Sequence, residues 1–144
     1  MKRYMMVQKF MLIILLKLFA VLVLVGANAL FVLAEFSIVK VRKTRLDELV
    51  KKGNRTAAHT LDIVKHLDSY LSANQLGITL ASLGLGWIGE PAIATALQPI
   101  LLKLSIENAA VLHSISVVIA FSFITLLHVV LGELVPKSIA IQKT

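Results

Sequence analysis

LLHVVLGELVPKSIA, from Leu126 to Ala140, sets a carboxylate inside an apolar run. Glu133 stands between Gly132 and Pro136. An ionisable side chain at membrane depth is costly and marks a functional site by default. Gly and Pro on either side let the helix loosen where Glu133 sits. Backbone carbonyls freed in this way can join a carboxylate as ligands of a hard cation. The apolar stretch that leads into the motif, Ala109 to Gly132, is long enough to cross a bilayer core of about 30 Å.

Two more stretches have the same character. Phe10 to Ala34 is apolar except for Lys17, which is near enough to one end to snorkel. It is too long for the apolar region of a signal peptide, and Glu35 and a basic block follow it as in a stop-transfer segment. Leu71 to Gly89 has no Asp, Glu, Lys or Arg. Ala73, Gly77 and Ala81 recur every four residues, and Ser82 and Gly86 repeat the spacing, so this helix can approach a neighbour closely in lipid. Gly89-Glu90-Pro91 is expected to end the span, with Trp87 in the interfacial aromatic belt. Residues 91–104, broken by Gln98-Pro99, read as a separate helical or re-entrant segment on the outer side. At 58% hydrophobic residues and mean hydropathy +0.86, the chain exceeds the apolar share of soluble domains, roughly 45–50%.

The expected fold is therefore an all-α membrane protein. It has one domain over residues 1–144, with three transmembrane helices at about 10–34, 71–89 and 109–132. Residues 40–70 form the polar connection, a juxtamembrane belt of amphipathic helices. Leu46, Leu49 and Val50 share one face of a first belt helix, and Gly53-Asn54 is its C-terminal stop. Ala57, Leu61, Val64, Leu67 and Leu71 share a face of a second.

The formal charge of +7 sorts by side of the bilayer, so no nucleic-acid partner is expected. Lys40, Arg42, Lys43, Arg45, Lys51, Lys52, Arg55 and Lys65 give the first connection eight basic residues. Lys103 gives the second connection one, and Lys2, Arg3 and Lys9 give the N-terminus three. The positive-inside rule then places the first connection in the cytoplasm. The N-terminus is external, the C-terminus cytoplasmic, and the protein a multi-pass protein of the plasma membrane.

Asn28 and Glu35 share a face of the first span, Asn74 and Gln75 open the second, and Glu133 closes the third. All lie toward the cytoplasmic side. Oxygen ligands without thiols suit Mg²⁺, Ca²⁺ or Na⁺. Each residue also has a plainer reading. Glu35 can pair with Lys40 or Arg42, and Glu133 with Lys137. Asn28 and Gln75 can hydrogen-bond between helices. His113 and His128 lie too far apart on one helix to share an ion and read as hydrogen-bonded interface residues. With no cysteine and no nucleophile–base or phosphate-loop motif, the chain reads as no enzyme.

The order ANALFVLAEFSIVKVRKTRLDEL, then GNR with LDSYLSANQLGITLASLGLGWIGEP, then LHVVLGELVPKSIAIQ resembles the transmembrane domain of the cyclin M/CorC family, the hemolysin C/CorC transporters. The resemblance runs from about Leu18 to Gln142. It implies three spans with a helical belt, a homodimer in the lipid bilayer, and Mg²⁺ as the ion moved outward, with Na⁺ exchange. It implies an inward-facing cavity in which Glu133, Asn74 with Gln75 beside it, and Asn28 hold the ion. Relatives often carry Ser near positions 28 and 32; Asn28 can replace such an oxygen and Val32 cannot. Family members continue into paired CBS modules, whereas this chain stops at Thr144. The alternative is a non-transporting membrane subunit or remnant that keeps the fold and the dimer surface without a working ion site.

Overall fold

A computed structural model describes residues 2–103 and 108–143. They form six α-helices and one π-helical segment. Helix α1 is Lys2–Lys40, α2 is Lys43–Lys51, α3 is Arg55–Lys65, α4 is Leu67–Lys103 and α5 is Ala109–Leu127. A π segment, His128–Leu134, leads directly into α6, Val135–Lys143. Three stretches are long and apolar enough to cross a membrane: Tyr4–Lys40, Leu67–Lys103 and Ala109–Gln142. The protein is an all-α membrane protein of three spans, and α2 and α3 are its belt.

Local chemistry sets the belt's boundaries. Gly53 takes φ +81°, a left-handed turn that glycine enters without strain. Its N–H donates to the Val50 carbonyl at 2.9 Å and that of Asn54 to Leu49 at 3.1 Å, closing α2 as a Schellman motif. The Asn54 side chain then starts α3 by accepting from the Ala57 N–H at 3.0 Å. Leu46 and Ala57 are buried, on the faces that the apolar spacing marked out. At the other connection, Asn108 Oδ1 accepts from Ala110 and Val111 to cap α5.

The spans pack around Val21 and Val25 of α1, Leu85 of α4 and Ile124 of α5. Small residues set the spacing. A Cβ on Gly77 would meet the Phe31 ring at 2.6 Å, one on Gly84 would meet Leu24 at 3.3 Å, and one on Gly89 would meet Ile124 at 2.9 Å. These contacts also fix the register. Helices α1 and α4 are antiparallel, with Phe31 level with Gly77 and Leu24 with Gly84. Helices α4 and α5 are antiparallel too, with Gly89 level with Ile124. Below, the end near α2 and α3 is the belt end, and the opposite end is the far end.

Two boundaries differ from the sequence expectation. Gly89-Glu90-Pro91 does not end the second helix. Helix α4 runs unbroken through Pro91 and Pro99 to Lys103, so the expected outer segment is its continuation; Leu104, the last residue of that segment, lies outside the described residues. A Pro removes one hydrogen bond and clashes with the preceding turn, but packed membrane helices tolerate it. Glu90 consequently lies at the waist of the bundle. Level with residue 123, it is about 14 residues, or roughly 21 Å, from the start of α5. Trp87, 86% exposed, also lies near the waist rather than at an interfacial belt. The third span likewise does not stop at Gly132 but widens into the π segment and continues as α6.

Candidate functional site

The Gly132–Pro136 motif is held by an amide from another helix. Pro136 has no N–H, so the Gly132 carbonyl, four residues earlier, loses its α-helical donor. Asn28 Nδ2 of α1 supplies one, at 3.0 Å. Asn28 is 1% exposed. Because a carbonyl can only accept, this contact fixes the amide's orientation. Nδ2 faces Gly132, and Asn28 Oδ1 is left buried without a hydrogen-bond partner among the described residues. The residue facing Asn28 has to be small. A Cβ on Gly132 would meet Asn28 Nδ2 and His128 Cδ2, each at 3.0 Å.

The backbone around Glu133 is loosened as its Gly and Pro neighbours suggest, but by widening rather than breaking. In the π segment the Val135 N–H donates to the Val130 carbonyl, five residues back. Such wide turns often mark functional sites. The freed carbonyl does not simply stand open to a cation, since Asn28 already takes one of its lone pairs. The Glu133 side chain is exposed and, among the described residues, makes no hydrogen bond or ion pair. Its expected partner Lys137 sits 4.6 Å over the Phe36 ring instead, a cation–π contact. Glu35 is half-buried and pairs with neither Lys40 nor Arg42. The Lys40 ammonium donates to the Ile141 carbonyl of α6.

The sequence-predicted residues fall into two layers. Asn28 and Glu133 share the first, at the level of Leu80–Ala81 on α4. Asn74 and Gln75 lie about six residues, or roughly 9 Å, nearer the belt end, and Glu35 is about as far down α1. Asn74 is half-buried and Gln75 exposed, while Val32, one turn below Asn28, is buried. Among the described residues no three His, Cys, Asp or Glu side chains converge as a metal site. An ion held here would rely on amide, backbone and water oxygens beside a single carboxylate.

Two residues of this region take parts that spacing alone did not assign. Ser82 Oγ lies 3.2 Å from His128 Nε2 and 2.8 Å from the Ile78 carbonyl. The hydroxyl's one hydrogen goes to that carbonyl, so Nε2–H donates to Ser82. His128 thus joins α4 to the start of the π segment, as an interface histidine would. A 310 Å³ groove opens from this pair toward the far end, with Gly86, Glu90 and Thr125 along it.

A family model described as the cyclin M transmembrane N-terminal domain matches residues 18–144. The chain belongs to the cyclin M transmembrane family. Its relatives include the UPF0053 proteins YhdT and YugS of Bacillus subtilis (strain 168). YhdT is 49% identical over 84% of this chain and 26% of its own length. YugS is 45% identical over 90% of this chain and 30% of its own. The uncharacterized protein Rv1841c of Mycobacterium tuberculosis is 42% identical over 83% of this chain and 33% of its own. This cyclin M domain thus spans between a quarter and a third of the relatives it matches. No solved structure matches it.

Proposed function

We propose that this chain is the membrane domain of a divalent-cation transporter and that its cargo is Mg²⁺, moved outward in exchange for Na⁺. The observation that carries the reading is the buried Asn28 Oδ1, at the level of Glu133, an amide oxygen with no hydrogen-bond partner among the described residues. A buried acceptor without a donor is costly and uncommon in a settled fold. A hard cation would satisfy it. Glu133 would supply the charge, with Asn74, Gln75 and Glu35 lining the approach from the belt end. Mg²⁺ keeps several of its waters when bound, so few protein oxygens suffice. The basic belt favours, by the positive-inside rule, a cytoplasmic belt end and an external N-terminus, in the plasma membrane. A second copy of the chain is the expected neighbour. Trp87 is exposed at the waist, and its indole N–H needs a partner that lipid tails cannot give.

Titration calorimetry with the purified protein tests the site. Mg²⁺ should bind the wild type and not Glu133→Ala. Equal binding to both sinks the site. Absence of binding to either favours the second reading, a non-transporting membrane subunit. That reading rests on Val32, which offers no oxygen where the resemblance implies a serine.

A further inference from the structure

The groove between α4 and α5 lies on the far side of the His128–Ser82 contact from the belt end, and the inner layer makes no use of it. Ser82, Gly86 and Glu90 follow one another at four-residue spacing along α4, and Phe121, Thr125 and His128 line the facing stripe of α5. The helices are antiparallel, Ser82 meets His128 and Gly89 meets Ile124, so Gly86 lies level with residues 124–127, near Thr125, and Glu90 with residues 120–123. A Cβ built on Gly86 meets nothing within 4 Å; the gap opposite Thr125 is real space. Side chains on a helix lean toward its N-terminus. Glu90 therefore leans toward the belt end and Thr125 toward the far end, so both approach the gap at Gly86.

Neither group is otherwise occupied. Glu90 is half-buried and, among the described residues, has no hydrogen bond or ion pair. Ser116 and Ser122 of the same span turn their hydroxyls back to the Leu112 and Val118 carbonyls, the usual way to satisfy a hydroxyl in an apolar helix. Among the described residues, Thr125 makes no such bond. A carboxylate at the waist of a membrane bundle is costly unless a cation or a donor answers it.

We propose that this groove is a second cation site, with Glu90 and Thr125 as protein ligands, and that it takes a monovalent cation of the size of Na⁺. Charge selects the valence. Glu90 is the only carboxylate lining the groove among the described residues, and one negative charge in a low-dielectric setting balances one positive charge. A divalent ion would keep an unanswered charge at the waist, away from the belt-end water that screens such a charge beside the exposed Glu133. Carboxylate, hydroxyl and water oxygens are the hard ligands that such an ion prefers. His128, at the inner end, lies between this site and the Asn28–Glu133 layer. The site would place the exchanged Na⁺ of the proposed function in a groove separate from the Mg²⁺ layer, and it is testable whether or not Mg²⁺ is the cargo.

The test is ²²Na⁺ and Mg²⁺ binding by the purified chain in detergent, with ion-free thermal unfolding as the fold control. Glu90→Gln should weaken Na⁺ binding about tenfold or more, as expected when one charged ligand is removed. It should leave Mg²⁺ binding at the wild-type level. Glu133→Gln should do the reverse. Gly86→Val, which fills the gap and keeps the carboxylate, should also lose Na⁺. Wild-type Na⁺ binding in Glu90→Gln overturns the site, as does absence of Na⁺ binding in the wild type. If Glu90→Gln loses both ions or unfolds earlier, Gly86→Val decides: loss of Na⁺ alone upholds the site and retention of Na⁺ overturns it. Failure of the Mg²⁺ reading appears separately, as a wild type that binds Na⁺ and no Mg²⁺.

Discussion

Two stretches of this chain set Gly, Glu and Pro close together, and the molecule treats them differently. In Gly132-Glu133-Leu134-Val135-Pro136 the proline frees the Gly132 carbonyl, and Asn28 of another helix answers it. The helix there becomes a π segment. In Gly89-Glu90-Pro91 the proline frees the Trp87 carbonyl, to which no side chain among the described residues donates, and the helix stays α. Each glycine lets another helix approach: Gly132 admits Asn28 and His128, Gly89 admits Ile124 and Val21. Similar local chemistry is thus polar and tied across helices in one case, apolar and untied in the other. What a Gly–Glu–Pro cluster becomes depends on what the neighbouring helix presents to the freed carbonyl.

The comparison can be broken most forcefully at Glu133. Replacing it with Gln should reduce Mg²⁺ affinity on the order of a hundredfold, because the ion loses its one charged ligand in that layer; calorimetry reads this. The same change at Glu35, a layer away, should alter affinity by no more than about twofold, well under 1.4 kcal/mol. The prolines sharpen the contrast. Pro91→Ala restores a donor to the unanswered Trp87 carbonyl and should stabilise the chain by about 1–3 kcal/mol in thermal or denaturant unfolding. Pro136→Ala should gain clearly less, because Asn28 already supplies that hydrogen bond. A gain at Pro136 equal to that at Pro91 would show that the Asn28 amide is no substitute donor. Asn28→Ala should cost about 1–3 kcal/mol, the penalty of a buried carbonyl left without its donor. Asn54→Ala, a belt cap outside the comparison, should cost about 1 kcal/mol.

Much of the fold was legible because its signals are strong and local. The three apolar runs, the belt faces of Leu46 and Ala57, and the stop at Gly53 all follow from periodicity and turn chemistry. The end of the second helix is not legible in the sequence, for a specific reason. Gly-Glu-Pro is a good terminus in water, and only the contacts of Gly89 with Ile124 and Val21 reveal that it lies at the waist. The site was legible in part. Glu133 and Asn28 are neighbours along the bundle, as polar residues in apolar runs suggested. That Asn28 reaches a backbone carbonyl of the motif, and that Asn74 and Glu35 sit a layer lower, depends on register between helices. One helix's periodicity carries no such information. The pairing of Ser82 with His128 is hidden for the same reason.

Helix α1 runs parallel to the π segment and α6, and the two are fastened at three heights: Asn28 to Gly132, Phe36 to Lys137, and Lys40 to Ile141. A zipper with teeth at three levels does not slide; it opens from an end or not at all. Any lengthwise shift of α6 therefore has to carry α1 with it, or first release Lys40 at the belt end, where water can replace its bond at little cost.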